Sequence, residues 1–195
     1  NAIVLGEGRD LCYRTLVITH HISNVMSGQS SKDDILIFIM RHGEAEGLLT
    51  DDKSRRLTAV GNAEVGASSH WLAEGYCLDK QIATALVSPY TRTRQSYQQV
   101  ASTLHASQFE ICADITPDGN VKLVHDYIDV LARQSLKNNT GKPLLLVSHM
   151  PFVSFFLDEI CDVPKMSLFA TGSVAVVRYS LSRSKGVLLQ HYQGL

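Results

Sequence analysis

Residues 35–44 read ILIFIMRHGE, and the rest of the chain can be interpreted from this stretch outward. Six apolar residues that end at a glycine turn are typical of a strand buried inside a sheet. Arg41, His42 and Gly43 then lie at the carboxyl end of that strand, where open α/β sheets bind ligands. Arg41 offers a planar fork of donors suited to phosphate, and His42 can act as a nucleophile. The triplet alone fits a catalytic site and an ordinary solvated strand end equally well.

The overall composition is that of a soluble globular protein. The chain has 195 residues, of which 45% are hydrophobic and 19% charged, which suits one domain with a sizeable core. A net charge of −1 indicates neither nucleic acid nor an anionic membrane as partner, so an anion site must be a local cluster. The cysteines are scattered, so we predict no zinc site. We expect reduced thiols in a cytoplasmic protein, with one disulfide pair as the alternative. We identify no signal peptide and no transmembrane segment.

Residues 1–34 have the composition of an extension rather than of a folded domain. Two small apolar patches give way to SGQSSKDD at 27–34, which is typical of a linker. His20 and His21 lack a Cys or carboxylate at ligand spacing, so a solvated loop is preferred to a metal site. We therefore expect a loosely ordered extension over 1–34 and one folded domain over 35–195.

Strand and helix patterns alternate along the folded domain. We expect strands at 35–40, 82–87, 109–112, 144–147, 174–179 and 187–192. We expect helices at 59–74, directly after Ser88, at 119–134 and at 151–161. Ser88 would be the N-cap of the second helix and Pro89 its first residue. This alternation predicts an α/β fold, a three-layer α/β/α sandwich with a mostly parallel central sheet.

Several predicted strand ends carry residues suited to binding a phosphoryl group. They are Arg41 and His42 after the first strand, Arg92 after the second, His149 after the fourth, and Arg55 and Arg56 in the first loop. In a mostly parallel sheet these residues share one edge. The arginines would neutralise the phosphoryl oxygens and lower the proton affinity of His42, which must attack as a neutral imidazole. A backbone acceptor near Gly43 would fix the other nitrogen of His42. His149 alone would be read as a core histidine, but beside the other strand ends it is better placed to donate to the phosphoryl group.

Four ordered motifs resemble those of the histidine phosphatase superfamily. They are Arg41-His42-Gly43, Arg55 before Leu57-Thr58-x-x-Gly61, Ser88-Pro89-x-x-Arg92-x-x-Gln95, and Ser148-His149. Ile115-Thr116-Pro117-x-Gly119 and Thr171-x-Ser173 are similar to the short SixA-type phosphohistidine phosphatases within it. The resemblance spans roughly residues 35–192 and implies the histidine phosphatase (phosphoglycerate mutase-like) fold.

The resemblance implies a phosphohistidine phosphatase that works through a phosphohistidine intermediate on His42. It implies catalytic roles for His42, Arg41, His149 and Arg92, and substrate binding by Arg55, Arg41, Arg92, His149 and Gly43. No metal and no cofactor are implied. The implied substrate is the histidine phosphotransfer domain of a hybrid sensor kinase, so that the enzyme would drain a two-component phosphorelay and release inorganic phosphate. We expect a cytoplasmic monomer.

Some alternatives remain open at the level of sequence. Arg55 matches the family arginine, but Arg56 stands where the family commonly has proline, so either could reach the phosphate. Asp114 is a weak candidate for a general acid, because a leaving imidazole needs little protonation, and an exposed turn carboxylate is preferred. The chain could instead hydrolyse small phosphate esters, or bind phosphoproteins without catalysis; the pair of His42 and His149 argues against the latter.

Overall fold

The structure, a computed structural model, describes residues 32–47, 51–138, 140–162 and 167–194. The strands are β1 (Asp34–Arg41), β2 (Gln81–Val87), β3 (His105–Ile111), β4 (Leu144–Ser148), β5 (Val174–Ser180) and β6 (Lys185–Tyr192). The helices are α1 (Ala59–Gly75), α2 (Thr91–Ala101), α3 (Val121–Lys137) and α4 (Phe152–Ile160), with 3₁₀ turns at Asp52–Ser54 and Ala113–Ile115. Of the expected extension, residues 1–31 with His20 and His21 lie outside the described residues.

The strands form one mixed sheet in the order β3-β2-β4-β1-β5-β6. β1 to β4 run parallel to their neighbours in this group, whereas β5 is antiparallel to β1 and β6 is antiparallel to β5. β1 lies between β4 and β5, and its residues 37–40 are completely buried, which explains the unbroken apolar run. The predicted three-layer sandwich with a mostly parallel sheet is confirmed.

Helices cover both faces of this sheet. Phe38 and Met40 of β1 pack in the same apolar cluster as Leu72 of α1, and α2 contributes to it. Ile39, on the opposite face because side chains alternate along a strand, packs in the cluster that contains Phe156 of α4 and residues of α3. No helix in the described ranges is both long and apolar enough to cross a membrane.

Most elements begin within two residues of the predicted position, but the starts of α2 and β3 differ from the prediction in ways that affect the site and the sheet. Helix α2 begins at Thr91 with Tyr90 as N-cap, so Ser88 is not the cap. Ser88 is instead completely buried, and its Oγ lies 2.7 Å from Nε2 of His149. Strand β3 begins at His105 rather than at residue 109, because this edge strand pairs with β2 on one side only and most of its side chains are exposed. Its polar side chains interrupt the apolar pattern, so the start of this strand could not be predicted from the sequence.

The turn after β1 packs directly on the first turn of α1. A Cβ on Gly43 would lie 2.2 Å from the carbonyl oxygen of Gly61, and a Cβ on Gly61 would lie 2.1 Å from that of Glu44. Thr58, the N-cap of α1, accepts from the Gly61 amide at 3.0 Å and donates to Oε1 of Glu44 at 2.7 Å. Two glycines thus allow a backbone contact that positions the neighbouring His42.

Candidate active site

The carboxyl ends of β1, β2 and β4 bring the predicted residues together at one edge of the sheet. Arg41 of β1 pairs in register with Ser148 of β4, so the residues that follow them, His42 and His149, are neighbours. Their ring centroids lie 5.1 Å apart. Arg92, in the first turn of α2, donates from Nε to Nε2 of His42 at 3.1 Å. The two histidines and the two arginines therefore line one pocket.

His42 is held as a neutral imidazole whose Nε2 carries the lone pair. Its Nδ1 lies 2.7 Å from the carbonyl oxygen of Gly43, which can only accept, so the ring proton is on Nδ1. Burial lowers the pKa of His42 to about 3; the Gly43 carbonyl opposes this, and the charges of Arg92, Arg41 and Arg55 add to it. A neutral Nε2 is the form that can attack phosphorus. The amide of Gly43 donates to Ser96 Oγ, so a contact between Gly43 and substrate stays a prediction.

His149 is held through the other ring nitrogen, Nε2. Its side chain is 1% exposed, and Nε2 pairs with Ser88 Oγ while the ring packs edge-on against Tyr90 at 4.7 Å. The Ser88 hydroxyl can donate or accept; we assign it as the donor to Nε2, which places the ring proton on Nδ1, a nitrogen with no hydrogen-bond partner among the described residues. Burial, and then the proximity of His42 and Arg92, lower the pKa of His149 to about 2. His149 is therefore a buried neutral donor suited to a phosphoryl oxygen.

Arg41 is fixed from the side of the loop that leads into β5. Its Nη1 donates to the carbonyl oxygen of Phe169 at 2.7 Å, and its backbone amide donates to Ser173 at 3.0 Å. Arg41 Nε is buried and, like His149 Nδ1, has no partner in the described part of the chain. Buried donors are normally satisfied, so these two unpartnered donors are suited to an oxyanion. No sequence pattern indicated the role of Phe169.

Asp52 joins two arginines of the pocket, and the sequence analysis did not assign it a role. Its Oδ2 accepts from Arg92 at 3.0 Å and its Oδ1 accepts from Arg55 at 3.0 Å. Its backbone carbonyl also accepts from Arg92 at 2.5 Å. Partial burial raises the pKa of Asp52, but the hydrogen bonds from Arg55 and Arg92 outweigh this and the pKa lies below its usual value. Its spacing of three residues from Arg55, one turn of a 3₁₀ helix, was the available signal.

The other candidates of the sequence analysis lie away from His42. Arg55 is connected to the pocket through Asp52, and its charge lowers the pKa of His42. Arg56 is exposed and lines a separate cleft. Asp114 is exposed in a 3₁₀ turn, and its carboxylate forms no ion pair with any described residue. The geometry therefore favours Arg55 over Arg56 at the phosphate and gives Asp114 no partner in catalysis.

The described residues contain no cluster of three or more His, Cys, Asp or Glu side chains arranged to hold a metal ion. Cys77, Cys112 and Cys161 are buried free thiols, and Cys12 lies outside the described residues. Burial raises the pKa of Cys161 to about 12, which makes it a packing residue rather than a nucleophile.

Two relatives of known family align with most of the chain. A protein of Haemophilus influenzae described as a phosphohistidine phosphatase SixA homolog is 32% identical over 160 residues, which cover 80% of this chain and 93% of the relative. Phosphohistidine phosphatase SixA of Escherichia coli K12 is 34% identical over 142 residues, which cover 72% of this chain and 83% of the relative. No family model matches the chain.

Solved structures show the same fold. The protein histidine phosphatase SixA complexed with tungstate is 30% identical, with a TM-score of 0.71 over 82% of this chain and 97% of that one. A SixA-like protein of Nakamurella multipartitia, at 20% identity and a TM-score of 0.66 over 83% of this chain and 97% of that one, supports the fold alone. With the identity to the two sequence relatives, these findings confirm the predicted fold and show that the chain belongs to the SixA phosphohistidine phosphatase family of the histidine phosphatase superfamily.

Proposed function

We propose that this phosphatase removes the phosphoryl group from the histidine phosphotransfer domain of a hybrid sensor kinase, through a phosphohistidine intermediate on His42, and so lowers the flux through a two-component phosphorelay. The observation that carries the proposal is that two adjacent histidines of the same Nδ1–H tautomer are held through different nitrogens. Nε2 of His42 therefore carries a lone pair, and His149, 5.1 Å away between ring centroids, carries its proton on the nitrogen that has no partner among the described residues. A nucleophile and a hydrogen-bond donor thus lie side by side. The proposal includes a cytoplasmic location and a monomeric enzyme.

The chemistry divides into two displacements at phosphorus. In the first, Arg92 transfers its hydrogen bond from Nε2 of His42 to a phosphoryl oxygen, and Nε2 forms a bond to phosphorus while the bond to the substrate imidazole breaks; that imidazole leaves with the electron pair. Arg41 and Arg92 neutralise the charge on the phosphoryl oxygens, and His149 donates to one of them. In the second, water attacks phosphorus while the bond from phosphorus to Nε2 breaks, so that His42 recovers its lone pair, the proton of the water passes to solvent and inorganic phosphate leaves.

A phosphohistidine suits this pocket better than a phosphate ester. An alkoxide leaving group needs a proton from a general acid, whereas imidazole leaves readily without one. Asp114, the acid candidate of the sequence, is exposed, and its carboxylate has no ion pair with a described residue. Both sequence relatives are described as phosphohistidine phosphatases, which supports the same substrate class.

The substrate class is tested by comparing two phosphoryl donors. We expect a higher kcat/KM on a phosphorylated histidine phosphotransfer domain than on p-nitrophenyl phosphate. A clear preference for the aryl ester would instead indicate an ester phosphatase. Rapid quenching with a 32P-labelled domain should trap label on the enzyme, and His42→Asn should abolish both the trapped label and turnover. Binding of the labelled domain without label transfer or turnover would indicate a phosphoprotein-binding module.

A further inference from the structure

A second cleft lies next to the phosphoryl pocket and is built from the same two segments of chain. It is lined by Ser54, Arg56, Thr91, Arg94, Gln95 and Gln98. One wall continues the 3₁₀ turn that contains Asp52, and the other is helix α2, which carries Arg92. A hydrogen bond of 2.8 Å from the amide of Leu57 to Oε1 of Gln95 ties the two walls together. Neither Arg56 nor Arg94 has a role in the mechanism above.

Helix α2 has two polar faces, and only one of them belongs to catalysis. Arg92 and Ser96, four residues apart, are buried and contact His42 and Gly43. Thr91, Arg94, Gln95 and Gln98 recur at spacings of three and four, so they form a separate stripe along the helix. That stripe faces the cleft. The helix therefore connects the two sites without sharing a side chain between them.

The cleft carries positive charge that the described residues do not neutralise. Arg56 and Arg94 are both exposed, and neither forms an ion pair with a described residue. The nearby carboxylate of Glu46 accepts from the backbone amide of Arg56 at 3.1 Å rather than from its guanidinium. In contrast, Arg55 and Arg92 of the neighbouring pocket are both paired with Asp52. The cleft thus presents two guanidinium groups, with amide and hydroxyl groups between them, to an approaching molecule.

We infer that this cleft binds carboxylate side chains on the surface of the protein that carries the phosphohistidine, while the phosphohistidine itself is in the catalytic pocket. The inference rests on the proposed function. Asp52, which pairs with Arg92 of the pocket, lies in the same short segment as Ser54 and Arg56 of the cleft, so a ligand that fills both sites must extend from one to the other. A protein surface is wide enough to reach both sites. Its acidic side chains complement exposed guanidiniums, which remain solvated at the rim of an interface. Such rim charges accelerate association and select among partners.

The test removes the two charges and keeps the pocket. The variant is Arg56→Gln/Arg94→Gln, and the matched control is Arg133→Gln/Arg183→Gln, which loses the same charge at exposed positions. Arg183 follows β5, whose last residue, Ser180, pairs with the first residue of β1, so it lies at the opposite edge of the sheet. kcat/KM is measured on a phosphorylated histidine phosphotransfer domain with glutamates near its phosphohistidine, and on free phosphohistidine, over a range of salt concentrations.

We expect the ratio of kcat/KM on the domain to kcat/KM on free phosphohistidine to fall about fivefold in the cleft variant and to stay unchanged in the control. The salt dependence on the domain should become shallower in the cleft variant. Replacing the glutamates of the domain by glutamine should lower wild-type turnover by a similar factor and have little further effect on the cleft variant. If the effects of the two sets of substitutions are not additive in this way, the glutamates of the domain contact Arg56 and Arg94 in the cleft.

Two results would overturn the inference while leaving the proposed function intact. One is an unchanged kcat/KM on both substrates in the cleft variant; the other is an equal loss of kcat/KM on the domain and on free phosphohistidine, which would place Arg56 and Arg94 in catalysis. If the wild-type enzyme hydrolyses neither phosphohistidine substrate, the proposed function itself fails. The two proposals are therefore tested by different comparisons within one experiment.

Discussion

The chemistry of the pocket depends on which nitrogen of each histidine carries the proton. The Gly43 carbonyl holds the proton of His42 on Nδ1, and the Ser88 hydroxyl holds that of His149 on the same-named atom by donating to Nε2. Because the two rings are anchored through different nitrogens, the remaining nitrogen is an acceptor in His42 and an N–H donor in His149. Ser88 thus acts as a positioning residue for His149.

Replacing Ser88 by alanine should lower kcat. Without the hydroxyl, the proton of His149 is free to move to Nε2, and the donor for the phosphoryl oxygen is lost part of the time. We expect kcat to fall about tenfold, as for a weakened transition-state hydrogen bond. Ser135→Ala is the matched control, since Ser135 is also buried and donates to a backbone carbonyl, of Lys142, outside the pocket. Both variants should lose about 1 kcal/mol of unfolding free energy, but only Ser88→Ala should lose kcat. Equal kcat values would show that Ser88 is only structural.

Replacing Asp52 by asparagine should also impair catalysis. The carboxylate accepts from Arg92 and Arg55 at the same time, and an amide, with one acceptor oxygen, cannot orient both. We expect kcat/KM to fall about tenfold on phosphohistidine, because Arg92 must stay positioned beside the phosphoryl group that His42 attacks. The adjacent Asp51→Asn is the control, since among the described residues the Asp51 carboxylate accepts only from the backbone amide of Lys53. Steady-state kinetics of the two variants in parallel decides the role, and equal activities would exclude it.

At the level of secondary structure, the sequence revealed the parts of the site that follow buried strands. β1 is apolar from Ile35 to Met40 and β4 from Leu144 to Val147 because these residues lie inside the sheet, so the strand ends, and with them His42 and His149, could be located. Asp52 and Phe169 could not be found in this way, because neither follows a buried strand and both bind an arginine that is distant in the sequence. The Ser88-Pro89 pattern predicts a helix cap, because it fits a cap as well as it fits a contact between Ser88 and His149.

The contact between the first loop and α1 predicts a strict requirement for glycine at position 61. In Gly61→Ala the new Cβ would meet the carbonyl oxygen of Glu44 at 2.1 Å, so the turn that carries His42 must move. We expect a loss of about 2 kcal/mol of unfolding free energy together with most of the activity. Gly75→Ala, in the last position of the same helix, meets nothing within 4 Å and should be neutral or slightly stabilising. Urea titrations that give the same midpoint for both variants would refute the requirement.

For the whole molecule, the mixed sheet places all the chemistry at one edge. The parallel strands β1, β2 and β4 deliver His42, Arg92 and His149, and the reversal of β5 brings the preceding loop to the same edge, where Phe169 holds Arg41. Other polar side chains serve stability instead. Tyr179, near the end of β5, donates to Asp129 of α3 at 2.6 Å and is completely buried. The fold thus separates a reactive edge from a polar contact that fixes the hairpin to a helix.

Burying two neutral histidines should make the stability of the whole domain sensitive to acid. The pKa of His42 is lowered to about 3 and that of His149 to about 2, whereas an unfolded histidine titrates near 6.5. Between these values the unfolded chain binds protons that the folded chain does not. The stabilising contribution is therefore complete above pH 6.5 and is lost as the pH falls toward 3, by about 1.4 kcal/mol per histidine for each pH unit.

The prediction is measured as the change in unfolding free energy between pH 7.5 and pH 5.5. Wild-type protein should lose about 3 kcal/mol more over this interval than His42→Asn/His149→Asn, in which neither position can bind a proton. His105→Asn, at an exposed position of β3, is the matched histidine control and should behave like wild type. If the double variant and wild type lose stability equally, the two histidines are not buried as neutral rings. The neutral Nε2 required of His42 as nucleophile would then also be excluded.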